Sequence, residues 1–299
     1  MTNYDGRRNM KKLFGGLNIT WPKLILFAVI CGVYTGAVAA IPALRDTSFQ
    51  DISISFEWWI LFAILIMVNS KSALDSALKV FVFFLISQPL VYLVQVPFNE
   101  QGFGLFRYYP RWFLWTLLTF PMAFVGWYMK KDKWWGLLIL APMLAFLGYH
   151  YAGFLGEMAT YFPRRLLSTL FCAATLLLYP LAIFHDKRIR IAGFAVSLVI
   201  LAVMSYVGLQ QDHSYNTILL ASGGETCGIE YDESFTVELA DESFGTVRIG
   251  YEENIDCCLV YASFIKVGHT ELILRSPDGE VYVYSLDVMT DSYHVERKP

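Results

Sequence analysis

Charge is scarce in this chain. Asp, Glu, Lys and Arg together make up 16% of its 299 residues, against roughly a quarter in soluble globular proteins. An ordinary water-soluble protein is thereby excluded as the class. Histidine and cysteine are few as well, five of each. No HExxH, GxSxG, paired-histidine or EF-hand spacing accompanies them, so the sequence assigns no metal, no cofactor and no catalytic residue. The centres of the long apolar runs lack Asp, Glu, Lys, Arg and His. An intramembrane charge is the usual sign of a proton relay or ion path, and its absence argues against an ion-coupled pump. The last run also has no Lys, which removes a retinal-type Schiff base.

What the chain has instead is apolar and aromatic side chains, 56% and 16% of its residues. Seven apolar runs stand out: Leu24 to Ala43, Phe56 to Val68, Ala77 to Val96, Trp112 to Met129, Trp134 to Tyr149, Leu166 to Phe184 and Ile191 to Val207. Most reach or approach the roughly 17 to 25 residues that cross a bilayer. The second is short, with Glu57 and Asn69 at its ends placed at the interfaces. Between the runs, Arg7, Arg8, Lys11, Lys12, Lys23, Lys71, Lys79, Lys130, Lys131, Lys133, Lys187, Arg188 and Arg190 fall on one side, and Arg45, Arg107, Arg111, Arg164 and Arg165 on the other. Basic residues are retained in the cytoplasm, so the amino terminus is expected inside and the tail outside a plasma membrane of bacterial type. The first run contains Ala37-Val38-Ala39, and a cleaved signal peptide is the competing reading. Either reading leaves the tail outside.

All eight Trp residues (21, 58, 59, 112, 115, 127, 134 and 135) fall near run ends, where amphipathic rings anchor at headgroup depth. Pro89, Pro121, Pro142 and Pro180 lie within runs and are expected to bend four consecutive helices. Gly32, Gly36 and Ala40 recur every fourth residue, a stripe that admits a closely packed helix from this chain or from a second copy. The pattern Gly102-Phe103, Tyr109-Pro110-Arg111, then a run and Lys130 to Lys133, is echoed by Gly153-Phe154, Tyr161 to Arg165, a run and Asp186 to Arg188. That echo reads as two copies of one helical hairpin, or as ordinary interface chemistry met twice.

On the predicted outer face lie Arg45, Asp46, Glu57, Glu100, Arg107, Arg111, Tyr149, His150, Tyr151, Glu157, Arg164 and Arg165. Arginines among aromatics at headgroup depth suit a phosphate or pyrophosphate, because the guanidinium fork binds oxyanions bidentately. Arg107, Arg111, His150, Glu157, Arg164 and Arg165 therefore form the candidate headgroup-binding set. His150 with Glu157 has the chemistry of an acid and base for a lipid-linked reaction, set against a solvated histidine and a rim salt bridge.

From about Gly208 the composition turns acidic and the pattern shifts to period two. The 211 residues up to Gln211 hold 18 basic and 9 acidic residues, the remainder 5 and 17. That excludes nucleic acid as a partner of the tail and points to a cation or a basic protein surface. Phe235, Val237 and Leu239 alternate with polar residues, as do Val247, Ile249 and Tyr251. Ser276-Pro277-Asp278-Gly279 marks a turn between two strands. Six or seven short strands at close intervals predict a small sandwich. The stretch Gly268 to Leu274, Asp278-Gly279 and the strand ending at Val288 resembles the last hairpin of bacterial immunoglobulin-like domains. The resemblance covers about twenty residues and implies a binding or spacer module without catalytic residues. Adjacent residues on a strand face opposite ways, so only one of Cys257 and Cys258 can face a core with Cys227. Cys227 and Cys258 are the candidate disulfide in an oxidising compartment. The acidic pairs at 232–233, 241–242 and 252–253 read as solvated turns or calcium ligands.

The expectation is then a cytoplasmic segment at 1–23, a membrane domain of seven transmembrane helices at 24–207 and an extracytoplasmic all-β sandwich, immunoglobulin-like, at 208–299. Its leading functional reading is a non-enzymatic envelope component that binds, senses or scaffolds through the sandwich. The alternative is a membrane-embedded enzyme or transporter for an anionic, phosphate-bearing lipid-linked substrate.

Overall fold

The structure, a computed structural model, describes residues 13–44, 47–99, 101–211, 213–253, 256–289 and 292–298. Arg7, Arg8, Lys11, Lys12, Arg45, Asp46, Glu100 and Asp212 lie outside the described residues. The chain divides into two units, one of Met1–Leu155 with Arg164–Gln210, the other of Gly156–Pro163 with Gln211–Pro299.

The first unit is helical: α1 (Trp21–Ala40), α2 (Ser48–Ile54), α3 (Phe56–Asn69), α4 (Ala73–Gln95), α5 (Tyr109–Gly126), α6 (Trp134–Thr160), α7 (Leu166–Ile183) and α8 (Lys187–Gln210). Local chemistry sets several ends. Pro22 and Pro110 stand in the first turns of α1 and α5, where a missing N–H costs nothing. Ser72 caps α4 by accepting from Asp75 N at 3.1 Å. Pro89, Pro121, Pro142 and Pro180 all lie inside helices.

Six of these helices are long and apolar enough to cross a membrane, and α2 with α3 passes the same test as a pair bent by 49°. The short second run is therefore extended on its N-terminal side by a helix whose Ser and Gln residues hide it from a hydropathy reading. The bend falls at Ser55, in extended backbone with ψ 156, where its hydroxyl donates back to Ile52 O at 2.9 Å. Serine competing for its own backbone is what weakens a helix at such a point. A second difference concerns α6, which continues to Thr160 and carries His150 and Glu157 as helical residues, not loop residues.

The small-residue stripe of α1 faces α4. A Cβ on Gly32 would stand 2.6 Å from Ser87 O, and one on Gly36 would stand 2.8 Å from Val91 O. The close approach that the spacing predicts is thus made within the chain. The two hairpin copies part company at their turns: Pro110 starts α5, whereas Pro163 follows a cis peptide bond ahead of α7. Leu24, Ile64, Ile66, Phe83, Leu140 and Leu144 form the buried centre, while Leu26, Leu138 and Val199 are among many apolar side chains left on the outside. An apolar outer surface of that extent is what hydrocarbon solvates.

The second unit is antiparallel throughout. Its strands are β1 (Tyr215–Ala221), β2 (Thr236–Leu239), β3 (Gly245–Glu252), β4 (Cys257–Phe264), β5 (Gly268–Arg275), β6 (Val281–Val288) and β7 (Tyr293–Arg297). They form a sheet ordered β1-β4-β3 and a sheet ordered β2-β5-β6-β7, neither closed into a barrel. Val260, Ala262 and Phe264 from the first sheet share a buried cluster with Leu272, Leu274, Tyr284 and Leu286 from the second. A register shift between Ile218 and Leu220 inserts one residue into β1, which is why Leu219 and Leu220 are both buried against the alternation. The turn at 276–279 forms as its residues predict, with Gly279 at φ 91 and Gly279 N donating to Ser276 O at 3.0 Å. Gly245, at φ 147, leaves no room for a Cβ, which would stand 2.0 Å from Ser263 O. Tyr161, grouped with this unit, donates from its hydroxyl to His213 O at 2.7 Å and to Phe264 O at 3.3 Å.

Candidate functional site

Four helices of the first unit, α3 to α6, surround a cavity of about 310 Å³. Phe56, Trp59 and Met67 of α3, Phe84 of α4, Trp112 and Trp115 of α5, and Met143 and Phe146 of α6 supply its wall. The polar groups on that wall offer little. Thr116 Oγ1 donates to Trp112 O at 3.1 Å and Thr119 Oγ1 to Thr116 O at 2.7 Å, so both hydroxyls are engaged on their own helix. Gln88 is the remaining polar wall residue. A surface dominated by rings, thioethers and methyls, with Gln88 as its one amide, accepts hydrocarbon.

The lining of α5 covers one face, Trp112, Trp115, Thr116, Thr119, Met122 and Ala123. Arg111 stands one turn before Trp115, at the edge of that face, and is exposed, as is Arg107. Arg107 lies over the ring of Tyr108, with 4.7 Å from guanidinium carbon to ring centroid, and donates to its hydroxyl at 2.5 Å.

The other members of the predicted arginine and histidine set are placed differently. His150 Nδ1 lies 2.9 Å from Glu57 Oε1. Glu57 is fully buried, while the His150 side chain is one quarter exposed. Neither carboxylate oxygen of Glu57 receives a hydrogen bond of good geometry. The imidazole ring packs 4.5 Å from Phe146 and 5.9 Å from Phe56, the two rings that separate it from the cavity. Arg165, in the left-handed region at φ 60, forms an ion pair with buried Asp51 of α2 and stacks over Phe154 at 5.4 Å. Arg164 and Glu157 are half-buried. The structure thus gives His150 a carboxylate partner from another helix, and leaves Arg107 and Arg111 as the exposed arginines of the set.

Glu57 was legible as an interface residue at the end of an apolar run. Its burial follows from α2, which carries the segment past it. Asp51 was missed for the same reason, since a seven-residue helix with Ser, Gln and Asp has no apolar signature. Along α7, Ser168, Cys172, Thr175 and Tyr179 are all buried on one face. The hydroxyls of Ser168 and Tyr179 have no hydrogen-bond partner among the described residues.

The second unit has a polar hollow of about 470 Å³ lined by Ser222, Glu230, Tyr231, Asp232, Tyr251, Asp256 and Cys257, among others. The side-chain and backbone hydrogen bonds from Ser234 hold the Asp232 carboxyl below the usual carboxylate range. Tyr251 donates to Asp256 Oδ1, which raises its phenol. No group of three or more His, Cys, Asp or Glu side chains among the described residues is placed to hold a metal ion. Cys227, Cys257 and Cys258 stand as free thiols in the structure. Cys227 Sγ packs 3.6 Å from the hydroxyl of Tyr284, and the buried Tyr231 ring stands within electrostatic reach of all three thiols. The five basic residues of this unit are all engaged. Lys266 pairs with Asp241 at 3.3 Å, Arg275 with Glu238 at 2.7 Å and Lys298 with Glu271 at 2.5 Å. Arg248 stacks over Tyr261 and Arg297 over Tyr282. No known protein family, curated protein or solved structure matches the chain.

Proposed function

We propose that this is a seven-span membrane protein whose helical body holds an anionic amphiphile, with one hydrocarbon chain in the cavity between α3 and α6 and a phosphate-bearing headgroup at Arg111. The observation that carries the reading is the aromatic cavity whose α5 face has an exposed arginine at its edge. Its volume lies at the low end of ligand pockets and fits part of a lipid, not a whole one. A guanidinium at the rim supplies the oxyanion contact, and Arg107 stands on the preceding turn.

In this reading the bent pair α2–α3 counts as one crossing, the basic connections hold the amino terminus in the cytoplasm, and the tail is an extracytoplasmic sandwich of immunoglobulin-like type. The surplus of Lys and Arg in one set of connections supports the orientation. Two antiparallel sheets sharing one buried cluster support the sandwich. In this reading the protein acts as a binding component. A second reading, that the outer unit binds a cation or a basic partner, is favoured by the acidic hollow around Asp232.

Mass spectrometry of lipid co-purified with the full chain tests the proposal. An anionic lipid should be enriched over the bulk membrane. Arg111→Ala should lower that enrichment about tenfold or more, the size of a lost charge-assisted hydrogen bond. Ala63→Phe, which fills the cavity, should abolish it. Unselective lipid content, unchanged in both variants, would remove the cavity as the working site and leave the outer hollow.

A further inference from the structure

Burying a carboxylate away from water is costly unless it is paired and hydrogen-bonded. Glu57 has zero exposure and a single close charged neighbour, the imidazole of His150, with neither oxygen well hydrogen-bonded. It also lies within the bent segment α2–α3, several residues from either end. An ionisable side chain in that position is a functional signal by default. The partner makes the signal specific. Imidazole is the side chain that changes charge near neutral pH, and His150 is one quarter exposed while touching Glu57.

We infer that Glu57 and His150 form a buried proton-exchange site in the helical body. The site loads from solvent through His150 and stores the proton on Glu57. In the loaded ion-pair state, Nδ1–H of an imidazolium faces the Glu57 carboxylate. Transfer of that proton across the 2.9 Å contact gives neutral imidazole and neutral glutamic acid, with no net change in charge. A second proton from water then recharges His150, so that the pair alternates between net charge zero and plus one. Burial favours the neutral acid, while the His150 imidazole and the Ser55 hydroxyl favour the ion.

The surroundings fit a site that exchanges protons. On α7, Cys172 and Tyr179 lie within electrostatic reach of Glu57. The partnerless hydroxyls of Tyr179 and Ser168 sit on the same face. Arg165 at the start of α7 is neutralised by Asp51 of α2, so neither adds net charge nearby. On α6, Tyr149 packs beside His150, and on α1 the titratable groups are Lys23 near its start, Cys31 and Tyr34. The Asp75–Lys79 pair of α4 lies at that helix's start, and Lys130, after α5, donates to Ser70 O beyond the C-terminal end of α3. That contact is about three and a half turns from Glu57.

This inference stands on residues apart from the lipid cavity. The test is infrared difference spectroscopy of the reconstituted full chain between acid and neutral pH. The wild type should show a protonated-carboxyl band that vanishes in Glu57→Gln, returns in Glu57→Asp and moves in midpoint by about one pH unit or more in His150→Phe. Asp75→Asn should leave that band in place. The inference is overturned if the wild type shows no titrating carboxyl that Glu57→Gln removes, or if His150→Phe leaves the midpoint unmoved. Co-purified lipid should be retained in Glu57→Gln. Loss of band and lipid together would overturn the separate site and make the pair part of the cavity.

Discussion

Cys257 and Cys258 both line the polar hollow, Cys257 half-buried and Cys258 buried, and Cys227 is buried as well. Desolvation raises the Cys258 thiol, and the nearby carboxylates of Glu233 and Asp232 raise it further. Thiolate is the reactive form, so Cys258 is doubly protected. Cys257 should therefore react first with a thiol reagent in the folded protein, and Cys227 and Cys258 only after denaturation, as peptide mapping of the labelled chain will show. Equal labelling of all three would contradict the packing around Tyr231. The sequence could place only one of the adjacent pair toward a core. It could not choose which, because nothing local reveals that Cys258 pairs in register with Tyr251 and Cys257 with Glu252.

At the level of elements, the fit of α1 to α4 invites a direct test. Gly32→Leu forces a side chain into Ser87 O and should destabilise the helical body by about 1–3 kcal/mol, the usual cost of overpacking. Gly104→Ala, whose new Cβ would come no closer than 3.7 Å to Gln101, should be silent. Unfolding in denaturing detergent, followed by loss of helicity, distinguishes the two. The Gly-xxx-Gly stripe was legible because helical spacing is written along the chain. The break at Ser55 was not, since the helix before it is short and polar. The same limit explains the candidate site. Glu157 follows His150 by two turns of one helix and invites pairing on paper. The carboxylate that meets the imidazole is Glu57, brought in from α3, and contacts between distant helices leave no trace in local periodicity. Long apolar helices and alternating strands, by contrast, were readable for most of their extent, because burial imposes those periods directly, the last part of α6 being the exception.

For the molecule as a whole, the decisive prediction concerns sidedness. In a Cys257→Ser background, Ser276→Cys at the β5–β6 turn should be labelled by a membrane-impermeant thiol reagent on intact cells. Lys131→Cys, between α5 and α6, should be labelled only after permeabilisation. The reverse pattern would invert the proposed orientation, and labelling of both without permeabilisation would make the number of crossings even between them. The engaged basic residues of the second unit carry a further consequence. Every Lys and Arg there already faces an internal acid or ring, and 17 acidic residues after Gln211 stand against only 5 basic ones. On the proposed topology, two copies in the same membrane would present each other with like-signed fields and no cation free to bridge them. At physiological ionic strength that repulsion reaches about 8 Å from the surface, a built-in spacing that resists crowding and clustering and that dissolved salt or a polycation would relax.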